Sequence, residues 1–297
     1  MRGGSERGGG RWIGTHILLL GVLLGGLSAE AQPGPPPDSL AVPFWRAAPT
    51  PRTGRTLAVL GAGAGAAGYE WTRRRYLQPR PAAPFEVDYD WGYARWADKL
   101  GHAFSTGLQA EAWASAYRWA GHDGRTAAVL GAATGFAGML YYEVLDGFDR
   151  GVGFSPPDVA ANGVGAGLVA ARAYWPALGA VRLKWSYWPS GDACDASCDY
   201  EGQTTWLAVN PHALAPEAAR RYLPPWLSVA AGYGAREGDV RTGFAEGVVF
   251  VGLDLEPAGL PLRGKVWNAL VPILRHVHFP APALRLSPDV GVEWLAY

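Results

Sequence analysis

The chain has 297 residues, 26 basic and 26 acidic side chains and therefore no net charge, with 49 % hydrophobic residues. Such a balance lacks the concentrated positive field that a nucleic-acid-binding surface needs, so no nucleic-acid partner is expected. Length and composition leave both a helical and a mixed architecture open.

Arg2, Arg7 and Arg11 precede an apolar run over 17–27, which ends in Ser28-Ala29-Glu30-Ala31 before Gln32. Basic, apolar and small-residue regions in that order predict a secretory signal peptide over 1–31, and so an exported protein of the periplasm or the cell-envelope membrane. The run is shorter than the about 20 residues of a membrane-spanning helix. No Cys stands near the cleavage site, and no lipid-attachment signal is read there. A Pro-rich arm follows over 32–54, extended rather than core-forming.

Residues 55–178 read as a small-residue-rich four-helix bundle. Its segments are 57–69, 93–120, 125–145 and a fourth that begins after Ser155-Pro156-Pro157-Asp158 and runs to about 175. Ser155 suits an N-cap, with Pro in the first turn and Asp158 completing a capping box. Gly61/Gly65, Gly131/Gly135 and Gly163/Gly167 form small-xxx-small pairs, which permit close helix approach in a membrane or in a tight bundle. Membrane association, with lipid as partner, is the favoured expectation, although the charge-free runs are short.

Beyond Pro176 the pattern changes. Apolar alternation over 181–188, 204–209, 226–233, 248–255 and 290–297 predicts a mainly antiparallel β region over 179–297, with short helices at 216–222 and 262–274. The fold class expected is therefore α+β, with a small sheet packed on the helices; five strands are too few for a membrane barrel. Cys194 and Cys198 are close enough for a small loop disulfide in an oxidising compartment; free thiols and a metal half-site are the alternatives.

The polar residues of the helices fall in clusters. Asp98, His102, Ser105 and Gln109 lie at i, i+4, i+7 and i+11, and so share one helical face. Glu143 and Asp146 share a face of the next helix, and Asp158 and Asn162 a face of the last. Isolated buried charges are costly, so these groups are expected to meet. Asp98, His102, Glu143 and Asp158 are expected to converge on one site bordered by Lys99 and Asn162, with Asp146 in the same polar set. Three carboxylates and an imidazole suit a divalent metal, and equally a structural charge network without one.

Asp98, Lys99, His102, Glu143, Asp146, Phe154, Ser155, Asp158, Asn162 and Gly165 together resemble the YfiM-like family of predicted periplasmic lipoproteins, and more distantly the VanZ-like envelope proteins. The resemblance spans about residues 95–170 and implies an envelope location without implying an activity. Phosphate-binding loops, Gly-x-Ser-x-Gly and His-Glu-x-x-His are absent from the sequence. Two functions stay open: a non-enzymatic structural or binding role, and a metal-dependent hydrolase or transferase acting on an envelope lipid or glycan.

Overall fold

A computed structural model describes residues 53–191, 196, 198–236 and 246–297. The expected signal peptide, most of the Pro-rich arm and Cys194 lie outside the described residues, so the pairing of Cys194 with Cys198 does too.

Helix α1 covers Thr53–Thr72 and runs into a wide π turn at Arg73–Leu77. Helices α2 (Ala97–Trp119), α3 (Gly124–Asp146) and α4 (Pro156–Arg172) follow. Asp123 caps α3 by accepting hydrogen bonds from the Arg125 and Thr126 amides, which satisfies donors that a helix N-terminus leaves free. Ser155 caps α4 through the Asp158 amide, with Pro156 in the first turn. The reciprocal half of the expected capping box is different: the Ser155 amide faces Glu143 at 3.4 Å. That frees the Asp158 carboxylate for the site described below.

The bundle differs from the four-helix expectation. Helices α2, α3 and α4 pack closely on one another, whereas α1 leans on their side, with Val59 against Trp113 and Tyr117. Backbone proximity explains the glycines within the three-helix core. A Cβ at Gly131 would meet the backbone of Ala110 and Ala114, and one at Gly165 the backbone of Ala103. At Gly61, Gly65 and Gly167 a Cβ would meet nothing within 4 Å. Of the three expected pairs, then, Gly131/Gly135 serves close approach and the others do not. The glycines therefore argue for a tight bundle and carry no separate argument for lipid. Helix α3 is nonetheless long and apolar enough to cross a membrane by length and composition.

A short turn at Pro176–Ala180 leads from α4 into the sheet. The sheet has six strands in sequential antiparallel order: β1 (Val181–Tyr187), β2 (Gln203–Val209), β3 (Leu227–Arg236), β4 (Glu246–Leu255), β5 (Ala281–Ser287) and β6 (Gly291–Ala296). Strand β5 was missing from the sequence expectation. Its Ala-Pro-Ala start and alternating Arg285 blur the apolar pattern. Single helical turns sit at Pro211–Leu214 and Glu217–Arg220, and α5 spans Lys265–Leu274.

The sheet curls. The segment leading into β5 returns to the free edge of β1, where the Trp185 amide donates to His276 O at 2.9 Å and the His278 amide to Trp185 O at 3.0 Å. The concave side holds Trp206, Ala208, Ala230, Val248, Phe250, Ala283 and Ala296. The sheet meets α2 through β1, β2 and the end of β3; Phe104 of α2 stacks on Trp185 of β1.

Gly131→Ala is expected to lower stability by about 1–3 kcal/mol, because the added methyl overpacks a backbone contact. Gly61→Ala is expected to raise it by about 0.5–1 kcal/mol, through helix propensity alone. Urea midpoints of the two variants check the pair; equal effects would place Gly131 outside the helix contact.

Candidate functional site

Three consecutive non-glycine residues, Ala94, Arg95 and Trp96, hold φ of 48°, 51° and 72° immediately before α2. Left-handed backbone costs about 1–2 kcal/mol per L-residue, so the turn persists only because its surroundings hold it. The Tyr233 hydroxyl donates to Arg95 O at 2.6 Å, and Ala94 and Ala97 pack on Ala235. Its consequence is positional. It brings Asp90 back beside the first turn of α2.

Lys99 lies there, buried, with its ammonium among three carboxylates. It stands 2.9 Å from Asp90 Oδ2, 2.7 Å from Asp98 Oδ2 and 2.7 Å from Asp158 Oδ1. Asp90 comes from the segment before α2, Asp98 and Lys99 from α2 and Asp158 from the first turn of α4. The Ser155 hydroxyl donates to Asp90 Oδ1 at 2.6 Å, and Tyr200, just before β2, donates to Asp98 Oδ1 at 2.7 Å. One cation thus ties two helices, a loop and, through Tyr200, the sheet.

His102 lies one turn beyond Asp98. Its Nε2 faces Asp98 Oδ1 at 3.7 Å and Asp158 Oδ2 at 3.8 Å. Its Nδ1 faces Asn162 Oδ1 at 3.2 Å and Glu143 Oε1 at 3.5 Å. Thr106 donates to Asn162 Oδ1 at 2.7 Å and holds that amide in place.

Burial disfavours every charge in this cluster, and the balance differs from group to group. Burial alone would discharge His102, but the carboxylates of Asp158, Asp98 and Glu143 outweigh it and lift its pKa to about 9. Burial pushes Glu143 up to about 8 and Asp158 up to about 6, against the pull of His102 in both cases. For Asp98 the reverse holds: burial is outweighed by His102 and Lys99, and its pKa falls below the ordinary value. At neutral pH the cluster therefore keeps His102 charged and Glu143 largely protonated, which brings its net charge towards neutrality.

The structure brings Asp98, Lys99, His102, Glu143, Asp158 and Asn162 together, as the spacing of the polar residues suggested. It does not bring Asp146, Ser105 or Gln109 with them. Asp146 turns to Arg74 at 2.6 Å and Arg80 at 3.2 Å, in a second cluster that includes Asp149 and Glu70. Arg74 approaches from the π turn, so the sequence offered no helical spacing to pair it with Asp146. Gln109 donates to the Met139 sulfur at 3.0 Å. Thr106, four residues after His102 and so on the same helical face, bonds to Asn162 in place of Ser105. Asp90 and Tyr200 were not foreseen. Asp90 depends on the left-handed turn, and Tyr200 lies far along the chain.

A cation would find donors here. Asp98, His102 and Asp158 each offer a ligand atom within 4.8 Å of the others. The neighbours at Nδ1 are of the kind that orient a metal-binding imidazole. Two of the oxygens needed would come from carboxylates that Lys99 already engages.

Residues 90–173 match the model of a family described as predicted periplasmic lipoprotein (DUF2279). The match includes the whole Asp90–Lys99–His102–Glu143–Asp158 constellation. It supports a periplasmic lipoprotein family as the broader content of the resemblance; the YfiM-like and VanZ-like assignments are not part of it. The chain is an exported protein of the periplasm or envelope membrane. No curated protein and no solved structure matches it.

The pH dependence of stability follows from the proton inventory. His102 binds its proton more tightly folded than unfolded, so its contribution is complete below 6.5 and is lost as pH rises through about 9. Glu143 also keeps a proton in the fold between 4.5 and about 8 that the unfolded chain releases. Both terms make stability fall with rising pH. Urea midpoints measured between about pH 5 and pH 9.5 are expected to decline, and His102→Gln to flatten the part above 6.5. A wild-type midpoint that rises over that upper range would contradict the assignment.

Proposed function

We propose that this is a non-enzymatic envelope protein in which the Lys99–His102 cluster fastens the helical bundle and orients it on the sheet. One observation carries the reading. The Lys99 ammonium is buried and shared by carboxylates from three places in the chain; Asp90 Oδ1 and Asp98 Oδ1 accept from Ser155 and Tyr200, and Asp158 Oδ2 faces His102 Nε2 at 3.8 Å. Such a group specifies one arrangement of its elements, since removing a partner leaves charge uncompensated in a buried place. One oxygen of each carboxylate is spent on Lys99 within the fold, which suits a fastening.

A second reading is favoured by the placement of His102 Nε2, opposite Asp98 Oδ1 and Asp158 Oδ2 at distances longer than a hydrogen bond. A divalent cation between these three atoms would be held by two carboxylates and an imidazole, with Asn162 and Glu143 orienting the ring. When bound, such an ion supplies Lewis acidity. Here it would begin a metal-dependent hydrolase or transferase, acting on an envelope lipid or glycan.

Lys99→Met separates the two. Under the first reading it is expected to lower stability by about 3–5 kcal/mol, because it strands buried carboxylates. Chelator is expected to leave the melting temperature of the wild-type chain unchanged. Stoichiometric divalent metal in the purified protein, together with a melting temperature that falls on chelation, would overturn the first reading in favour of the second.

A further inference from the structure

The sheet is apolar on both sides: its concave side buries an apolar core with one ion-pair cluster set in it, and its convex side is apolar as well. On the concave side Lys184 is wholly buried and sits 2.6 Å from Asp254 Oδ2, while His278 Nδ1 lies 2.9 Å from Asp254 Oδ1 and its ring stacks on Trp206. On the convex side the pairing register sets Leu207, Ala231, Val251, Leu284 and Val292 in one row across five strands. A parallel row joins Val209, Val229 and Leu253. The rows are open: Leu207 is 45 % exposed, Val251 39 %, Leu284 49 % and Val292 57 %. No charged residue interrupts either row. An antiparallel sheet with one face in water normally carries polar residues on that face, and outward apolar rows are the signature of strands that face lipid.

Continuous with the second row is one end of the sheet. Asn210 bonds to Ala180 there, and Glu256 to Trp226. Tyr174, Trp175, Tyr222 and Trp226 are exposed at this end. Such side chains place an apolar ring and a polar tip at a membrane–water boundary. From the same end projects α5, none of whose residues is buried. Val266 and Leu270 are exposed on it. The exposed charges at its start are basic, Arg263 and Lys265.

The geometry points to a lipid-docking surface: the convex face of β2–β6 and helix α5 seat on an anionic phospholipid bilayer, with the aromatic end at the headgroups. Charge selects this occupant. Basic groups Arg263 and Lys265 stand at the start of α5, at the aromatic end of the apolar face, where they complement an anionic leaflet. A second copy of the chain would set the same basic groups against one another. The inference names a partner for an envelope protein and is independent of what the Lys99 cluster does.

The test is flotation of the full chain with vesicles of phosphatidylglycerol and phosphatidylethanolamine, and with phosphatidylcholine alone. The wild-type chain is expected to float with the anionic vesicles, and to float less at high salt. Val266→Glu/Leu270→Glu alters two exposed residues and should keep the wild-type circular dichroism while lowering the vesicle-bound fraction at least tenfold. Leu207→Ser/Val251→Ser/Leu284→Ser should do the same. Because residues 1–52 are present in every variant, the difference reports the sheet face and α5. Three outcomes overturn the proposal: wild-type chain left at the bottom of the gradient, folded variants that float as well as wild type, or a wild-type dimer that the triple variant turns into a monomer.

Discussion

A buried ammonium must be matched by negative charge within reach, and Lys99 meets that requirement only when Asp90, Asp98 and Asp158 are all in place. Each of those carboxylates depends on a different piece of backbone. Asp98 needs the first turn of α2. Asp158 needs the Ser155 cap that starts α4. Asp90 needs a left-handed turn that no residue in it prefers. The strain of that turn is bearable because it delivers an anion to a cation that would otherwise be stranded. The positions of α2, α4 and the entering chain are thus consequences of one charge requirement.

The same arrangement recurs wherever elements meet. Arg74 joins the end of α1 to the end of α3 through Glu70, Asp146 and Asp149. Glu111 on α2 receives Arg172 from α4, Arg182 from β1 and His276 from the segment that closes the sheet. With the Arg172 and Arg182 guanidiniums beside it, Glu111 is held well below the usual carboxylate range although burial opposes this. Lys184 and Asp254 do the corresponding work inside the sheet. Helices built of Ala and Gly approach closely but bury little apolar area per residue. Orientation then falls to directional ion pairs, while the close Gly131 and Gly165 contacts fix the distance between helices.

Much of this was legible in the sequence, and for identifiable reasons. The polar residues at helical spacing, Asp98 with His102 and Asp158 with Asn162, could only share a face, and a buried face obliges partners. The change of period after Pro176 marked the sheet. What escaped lies where periodicity carries no information. Asp90 and Tyr200 reach the site from irregular segments. Asp146 shares a face with Glu143 but meets a cation from a π turn that has no sequence signature. The role of the glycines also turned out differently. Gly131 and Gly165 are explained by a neighbouring backbone, while Gly61 and Gly65 lie open on α1. The exposed apolar rows emerge only from the strand register, since alternation reveals that a strand has two faces without telling which of them is inside.

The most direct test of the account is a double-mutant cycle on Lys99 and Asp158, using Lys99→Met, Asp158→Asn and the double variant, with stability measured by urea unfolding at neutral pH. If the ammonium is what gathers the helices, each single change strands the other partner. The double variant is then more stable than the sum of the two losses predicts, with a coupling of at least about 1.5 kcal/mol, as expected for groups in direct contact within one network. Two large losses that simply add would show that the two residues act separately, and would contradict the central place given to Lys99.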